Sequence, residues 1–404
     1  MLDLNQVAKQ LPIVGAHLTK EAQAGSLRMQ LATRHFQTAI DQQTALQQQQ
    51  EQWRQRLRFG AAHPIEDLDT CLDISTPPAQ HTVLATDGSQ IAPSHHEIAY
   101  CYLINVGRVM IHYGQSLQPL LDSIPEVFYL AADLYESRKW GINTEEWMGN
   151  KRTVAEAVVL ADLGYDWVNP PFDPDNVTPR AAQMPMLAMV DGSLVYRFLE
   201  ELPVDARDSL LEPMMAAWEK LRSIKVPMVS YLSASRSIDT LNLLRLLSCT
   251  FPEPDCMSHC GNFDKPPCQV FDGLRDTTLW LDRLKPGQRS CIWQSKVKVM
   301  DLYPEEQRIH FCYLHVGTEI ARVEMPQWVA TDSAMLDRAL GIVLSQVQKG
   351  QGYPVAIAEA HNYAVVRGAD RTSFFSLLER EMLKAGLKNV GVSYKERRKR
   401  TSIA

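Results

Sequence analysis

The sequence lacks a hydrophobic run long enough to cross a bilayer; the longest candidate, 184–190, has only the length of a strand. Its first residues, MLDLNQVAKQL, lack the charged-then-apolar order of a secretory signal. The expectation is therefore a cytoplasmic protein with no membrane association. In that compartment the eight cysteines stay reduced or bind metal rather than form a disulfide framework. A positive net charge is also missing. The formal charge of −6 argues against nonspecific coating of nucleic acid, which is driven by neutralising phosphates. It leaves room for an enzyme whose carboxylates hold metal and whose basic groove is local. Two local basic stretches exist: Arg283, Lys285, Arg289, Lys296 and Lys298, and the tail Lys395, Arg397, Arg398, Lys399 and Arg400. Either can equally be a solvated face or a disordered tail. Tandem repeats are absent, and two Asp-Gly-Ser tripeptides are too short to make one.

What is present fills one large domain with additions, or two domains, in 404 residues. Residues 1–58 read as a helical extension, with no proline between Pro12 and Pro64. The stretch 37–55 is rich in glutamine and poor in large apolar residues, which predicts a projecting helix that packs at its ends or against a partner. A linker with Gly60, Pro64, Pro77 and Pro78 follows. The main domain is expected over 80–375, with a Cys- and Pro-rich loop inserted at 249–268; 376–404 holds a helix end and the basic tail. HTVLATDGSQ reads as a strand ending abruptly at Asp87-Gly88-Ser89, and EIAYCYLINVGRVMIHYG as two strands joined near Asn105–Gly107. Residues 126–163 read as mostly helical, and PMLAMVDGSL as a strand closed again by Asp-Gly-Ser. A helix near 208–223, the strand VPMVSYL and a helix near 237–248 come next. IHFCYLHV and IARVEMP suggest paired strands, LDRALGIVLSQVQKG an amphipathic helix, and RTSFFSLLEREMLKAGL a last helix. PVAIAEAH is either strand or the start of a helix.

Asp87 and Asp191 each follow an apolar strand, where α/β proteins place ligands. On neighbouring strands the two carboxylates would lie within a few ångströms, which is unfavourable unless a cation sits between them. Glycine after each lets the chain turn sharply and leaves room for a substrate. A strand with Asp87, two hairpin strands, a helix, then a strand with Asp191 is the order of an RNase H-like mixed sheet flanked by helices. Such a domain takes a further carboxylate from the helix after its third strand. Glu156 stands there, between Ala155, Ala157, Val158 and Leu160, with Glu136, Glu145 and Glu146 as competitors. His361 ends a late apolar run as a metal ligand, an acid/base group or a hydrogen-bonded structural residue. Tyr353 could hydrogen-bond a phosphate or simply pack. Glu359 faces the same side as His361 in a strand but not in a helix.

ATDGSQ, MVDGSL and a late Tyr-Pro followed by Glu-Ala-His, in this order and spacing over about 80–375, resemble the NurA nucleases. The resemblance implies an RNase H-like fold and a DNA end-processing nuclease dependent on Mn²⁺ or Mg²⁺. It implies metal ligands at Asp87, Asp191 and His361, a matching tyrosine at Tyr353 and, less closely, Glu156 on the helix. It also implies Arg236 or Ser237 near the substrate, a homodimer, and partnership with a HerA-type hexameric ATPase in end resection. In a two-metal scheme one ion activates the attacking water and the other stabilises the leaving oxygen. The alternatives are an RNase H-like nuclease acting on RNA, since no recognisable motif in the sequence separates DNA from RNA, and a non-catalytic DNA-repair scaffold. The glutamine-rich extension and the cysteine loop depart from the family. In that loop Cys249, Cys256, Cys260 and Cys268 are either reduced thiols or ligands of a structural Zn²⁺ or iron–sulfur cluster.

Overall fold

The structure is a computed structural model and describes residues 2–93, 100–170 and 184–386. The basic tail 395–400 lies outside the described residues. The chain divides into two compact units, Met1–Ile74 with Leu232–Ala330, and Ser75–Tyr231 with Thr331–Ala404. Asp87, Glu156, Asp191, Tyr353 and His361 all belong to the second.

That second unit contains strands β1 (His81–Ile91), β2 (Tyr102–Tyr113), β3 (Leu120–Phe128), β4 (Met186–Asp191) and β5 (Met228–Leu232). They lie side by side in the order β5-β4-β1-β2-β3. β1 pairs parallel with β4 and β4 with β5, while β2 runs antiparallel to both β1 and β3. Val83, Leu84 and Ala85 on β1, and Leu187, Ala188 and Met189 on β4, are fully buried. Strands covered on both faces read as continuous apolar runs rather than alternating ones, which is why both were legible. Helix α1 (Thr144–Val168) starts at Asn143, whose side chain accepts from Glu145 N (2.8 Å), with Glu145 and Glu146 in its positive first turn. It buries Trp147, Met148, Ala157, Leu160, Ala161 and Leu163. Three more helices, α2 (Val204–Ser223), α3 (Ser333–Lys349) and α4 (Val355–Ala364), precede the last, α5 (Gly368–Lys384). α3 is amphipathic as expected, with Leu336, Leu340, Val343 and Val347 among its buried residues.

Three expectations are corrected here. EIAYCYLINVGRVMIHYG does not hold two strands joined near Asn105–Gly107; within its described residues a single strand, β2, runs through Gly107. That glycine marks a close approach instead: a Cβ there would stand 2.4 Å from Ala360 O on α4. The second hairpin strand is LLDSIPEVF, whose last residues were read as helix. Its Pro125 disguises it, because proline in a sheet is tolerated on an edge strand, which β3 is. Finally, β1 does not stop at Asp87-Gly88-Ser89 but continues to Ile91, paired throughout with β2.

In the first unit the extension forms two helices, Leu4–Asp41 and Gln43–Trp53. Phe36 meets Trp280 edge to face at 5.5 Å, in a core that includes Trp293, Phe311 and Tyr313. IHFCYLH and IARVEMP pair antiparallel with Ile309 opposite Pro326, as their patterning suggested, and both are wholly buried. The glutamine-rich stretch does not project. Gln43 donates to Glu66 O (3.0 Å) and accepts from Leu68 N (2.8 Å), Gln47 donates to Pro64 O (2.6 Å), and buried Gln50 to Ala61 O (3.0 Å). Amide side chains serve backbone groups of 61–68 that need partners, so polarity here signals docking. The exposed part of the first helix is instead its apolar beginning, with Leu4, Leu11 and Leu18 all solvent-facing. The basic run at 283–298 is partly internal: Arg289 is buried in a bidentate pair with Glu66 (2.6 and 2.9 Å), and Arg283 lies 3.6 Å over the Phe36 ring. Among the described residues no helix is long and apolar enough to cross a membrane.

Candidate active site

Parallel pairing of β1 with β4 ends at Thr86 opposite Val190, so Asp87 and Asp191 are the next residues on their two strands. Adjacent strands lie about 4.8 Å apart, and residues in parallel register share a face. The two tripeptides achieve this differently. Gly192 has φ +80 and lets the chain turn away after β4, whereas Gly88 lies inside a strand. A Cβ at Gly88 would stand 2.3 Å from Glu156 Oε1 and 2.6 Å from Arg152 Cγ, so glycine lets α1 approach β1. Thr86 Oγ1 donates to Glu156 O (3.0 Å) and fixes that approach.

Glu156 is thus delivered to the two aspartates and is largely buried. Burial raises its carboxyl to about 7; Arg152 opposes the rise, Asp87 and Asp191 add to it, and the Gly88 amide opposes it. Arg152 Nε stands 3.3 Å from Glu156 Oε1, one helical turn earlier. The competing glutamates have other settings. Glu136 pairs with Lys151 (2.9 Å) and accepts from Trp147 Nε1 (3.3 Å), while Glu145 and Glu146 are exposed in the first turn of α1.

α4 is helix, so Glu359 and His361 point in different directions. His361 Nδ1 lies 2.7 Å from Asp87 Oδ2; the imidazole is well exposed and the aspartate nearly buried. With the carboxylate accepting at Nδ1, Nε2 is the ring nitrogen turned away from Asp87, and imidazole binds metal through such a nitrogen when its other N–H is held by a carboxylate. α4 is anchored at its end: Asn105 Nδ2 donates to Ala364 O (2.8 Å), Ser89 Oγ donates to the same carbonyl, and Val366 N donates to Ser89 Oγ (3.2 Å). Tyr353 Oη donates to Asp191 Oδ1 (2.8 Å), and its ring meets Tyr231 edge to face at 5.7 Å. Among the described residues no group of three or more His, Cys, Asp or Glu side chains is set to hold an ion as it stands. Asp87, Asp191 and Glu156 are each engaged instead by His361, Tyr353 and Arg152.

Arg152, Ser89, Asn105 and Gly107 were missed as parts of this arrangement. Only Arg152 left a signal, its i,i+4 spacing to Glu156. Arg236 and Ser237 belong to the other unit, where Ser237 O accepts from Asp276 N (2.9 Å).

A mixed α/β unit with carboxylates at matched ends of two parallel strands, and a third brought over them by a helix, defines the class of protein. The chain belongs to the NurA family: the family model, described as the NurA domain, matches residues 81–366. In fold it is similar to the NurA nuclease from Sulfolobus solfataricus, whose crystal structure aligns with TM-score 0.52 at 10% identity, over 96% of this chain and 99% of that one. No curated protein sequence matches it.

Proposed function

We propose that this protein is a metal-dependent nuclease that hydrolyses phosphodiester bonds in DNA, on an RNase H-like arrangement of strands and helices. The observation that carries this reading is the register that brings Asp87 level with Asp191 beneath Glu156. Family membership supports it. Three carboxylates and one imidazole are a donor set suited to Mn²⁺ or Mg²⁺. A largely buried carboxyl held near 7, with two more carboxylates beside it, is a cluster that a divalent cation relieves. Asp87, Glu156, Asp191 and His361 would hold the metal. When bound, a pair of such ions supplies an activated water and stabilises the leaving oxygen. The protein's own groups orient and balance this chemistry. Tyr353 fixes the rotamer of Asp191 by donating to one oxygen and leaves the other oxygen available. Asp87 orients the His361 ring through Nδ1 and leaves Nε2 to face the metal. Arg152 favours the ionised form of Glu156 and offers a cation near a phosphate. On the same reading the protein works in DNA end processing as a homodimer, with a HerA-type hexameric ATPase as partner.

The test is cleavage of labelled single-stranded DNA, double-stranded DNA and RNA with Mn²⁺ or Mg²⁺, using wild type, Asp87→Asn and Asp191→Asn. Metal-dependent DNA cleavage should be abolished in both variants, with unchanged circular dichroism. Near-normal cleavage by either folded variant removes the assigned site. Preference for RNA overturns the substrate, and an inactive wild type favours the scaffold. Light scattering, and pull-down with the ATPase, test the assembly; a strict monomer that binds no ATPase refutes it.

A further inference from the structure

Half of the eight cysteines fall within residues 249–268, and the structure turns all four toward one feature. Cys249, Cys256, Cys260 and Cys268 line a single small cavity, together with Phe59, Leu246, Phe251, Pro254 and Pro267. Cys256, Cys260 and Cys268 are buried, Cys249 half-buried, and all four are free thiols. They also lie within one another's electrostatic reach, Cys260 with Cys256, Cys268 and Cys249, and Cys249 with Cys268 and Cys256. The remaining cysteines, at positions 71, 101, 291 and 312, do not line this cavity.

As they stand the four thiols are not set to hold an ion, but the segments that carry them are tied down around the cavity. Cys256 begins a four-residue helix, Cys256–His259, that Asp255 caps by accepting from Ser258 N (3.0 Å). Cys260 follows one turn after Cys256, which sets two sulfurs on one side. Asp255 is held by Arg56 Nε (2.7 Å), and Cys260 O accepts from Arg58 Nη1 (3.0 Å). Arg245 Nη2 lies 3.5 Å from Cys268 Sγ and stacks its guanidinium 4.0 Å over Phe59. Four thiolates on one metal centre leave net negative charge, and a guanidinium donating to one sulfur offsets it. Apart from that short helix the loop has no helix or strand, so it can close as ligands engage.

We propose that Cys249, Cys256, Cys260 and Cys268 form a four-thiolate structural metal centre, for a thiophilic metal held as a single zinc ion or as an iron–sulfur cluster. The centre ties the 249–268 loop to the end of the N-terminal helices, where Arg56 and Arg58 already reach it. Binding releases the thiol protons and exchanges four S–H groups, three of them buried, for metal–sulfur bonds. The proposal does not depend on the nuclease reading, because none of these residues belongs to the active site.

The full-length protein, purified without chelators and without oxygen, is analysed for zinc, iron and acid-labile sulfide, with its visible spectrum. One arm expects about one colourless zinc per chain; the other expects iron with matching sulfide and a broad visible absorbance. Either metal should be lost in Cys249→Ser and Cys268→Ser and kept in Cys312→Ser. In the native protein these four thiols should also resist alkylation until a chelator is added, and cleavage by added protease should then appear within 249–268. The alkylation arm keeps the test decisive if a serine variant fails to fold. Neither element near stoichiometry, metal retained in folded loop variants, or four thiols alkylated equally fast with and without chelator overturns the proposal.

Discussion

Gly107→Ala puts the packing of α4 to a direct test. The methyl carbon would stand 2.4 Å from Ala360 O, 2.6 Å from Ala364 N and 3.0 Å from Tyr363 C. All three are backbone atoms of one helix, so no side chain can swing aside. Non-bonded heavy atoms favour about 3.5–4 Å, so α4 has to retreat by roughly 1 Å. Forced overpacking of this kind costs about 1–3 kcal/mol, and the reduced freedom of the unfolded chain returns about 0.4–1 kcal/mol. A net loss of about 1–2 kcal/mol lowers Tm by about 2–8 °C for a unit of this size. The retreat also carries His361 away from Asp87, now 2.7 Å distant, and strains the bonds from Ser89 and Asn105 to Ala364 O. Nuclease activity should therefore fall well below what the unfolded fraction explains, at a temperature where the variant is folded. The matched control is Gly149→Ala, inside α1 with nothing within 4 Å of the new carbon, which should gain stability by up to about 1 kcal/mol. Scanning calorimetry and the cleavage assay read both. A Gly107→Ala protein with wild-type Tm and activity would refute the close approach and the role of α4 in placing His361.

Tyr353→Phe keeps the ring that meets Tyr231 and removes the hydroxyl that donates to Asp191, so Tm should move little. Cleavage should drop about tenfold, the equivalent of one hydrogen bond to a charged group; an unchanged rate shows that Asp191 needs no orienting. Glu66→Gln tests the pair with Arg289 through pH. Burial acts to raise the Glu66 carboxyl, but the hydrogen bond and charge of Arg289 and the amide of Ile292 outweigh it and hold it below its ordinary value. A carboxyl depressed on folding stabilises above its unfolded pKa and loses that contribution as pH falls through the folded one. The Tm gap between wild type and Glu66→Gln should be full near neutrality and close on acidification through and below the ordinary glutamate range. A gap independent of pH contradicts the assignment.

Much of the second unit was legible because its central strands are buried on both faces and its helices on one. The runs around Val83 and Leu187, and the amphipathic pattern from Leu336 to Val347, are direct consequences of burial. Edges were less legible. β3 carries Ser123, Pro125 and Glu126 at a sheet edge, where one side makes no pairing demand, so its composition does not announce a strand. The glutamines at 43, 47 and 50 mislead for a related reason: polarity suggests solvent exposure, but their partners are carbonyls and an amide 11 to 25 residues away in the chain. No local pattern records a partner at that separation.

Glycine shows the same limit at the candidate site itself. Both Asp-Gly-Ser tripeptides were read as turns, because a glycine after an apolar run ordinarily signals a break. Gly192 is such a break, with φ +80 and open space around it. Gly88 instead sits in the middle of a paired strand, where a side chain would strike Glu156 and Arg152. Gly107, its near neighbour on β2, is bare for the approach of α4 from elsewhere in the chain. One property, the missing Cβ, thus serves backbone freedom at one position and clearance at two others, and sequence alone does not distinguish these uses. The two aspartates can nevertheless be singled out as candidates, because their place depends on where the parallel pairing of β1 and β4 ends. That end is set by the lengths of the two apolar runs, which the sequence displays. The helix that brings Glu156 is fixed by Gly88 and Thr86, contacts between segments some seventy residues apart, and so its glutamate could be ranked among competitors from its apolar neighbours but placed only by the fold.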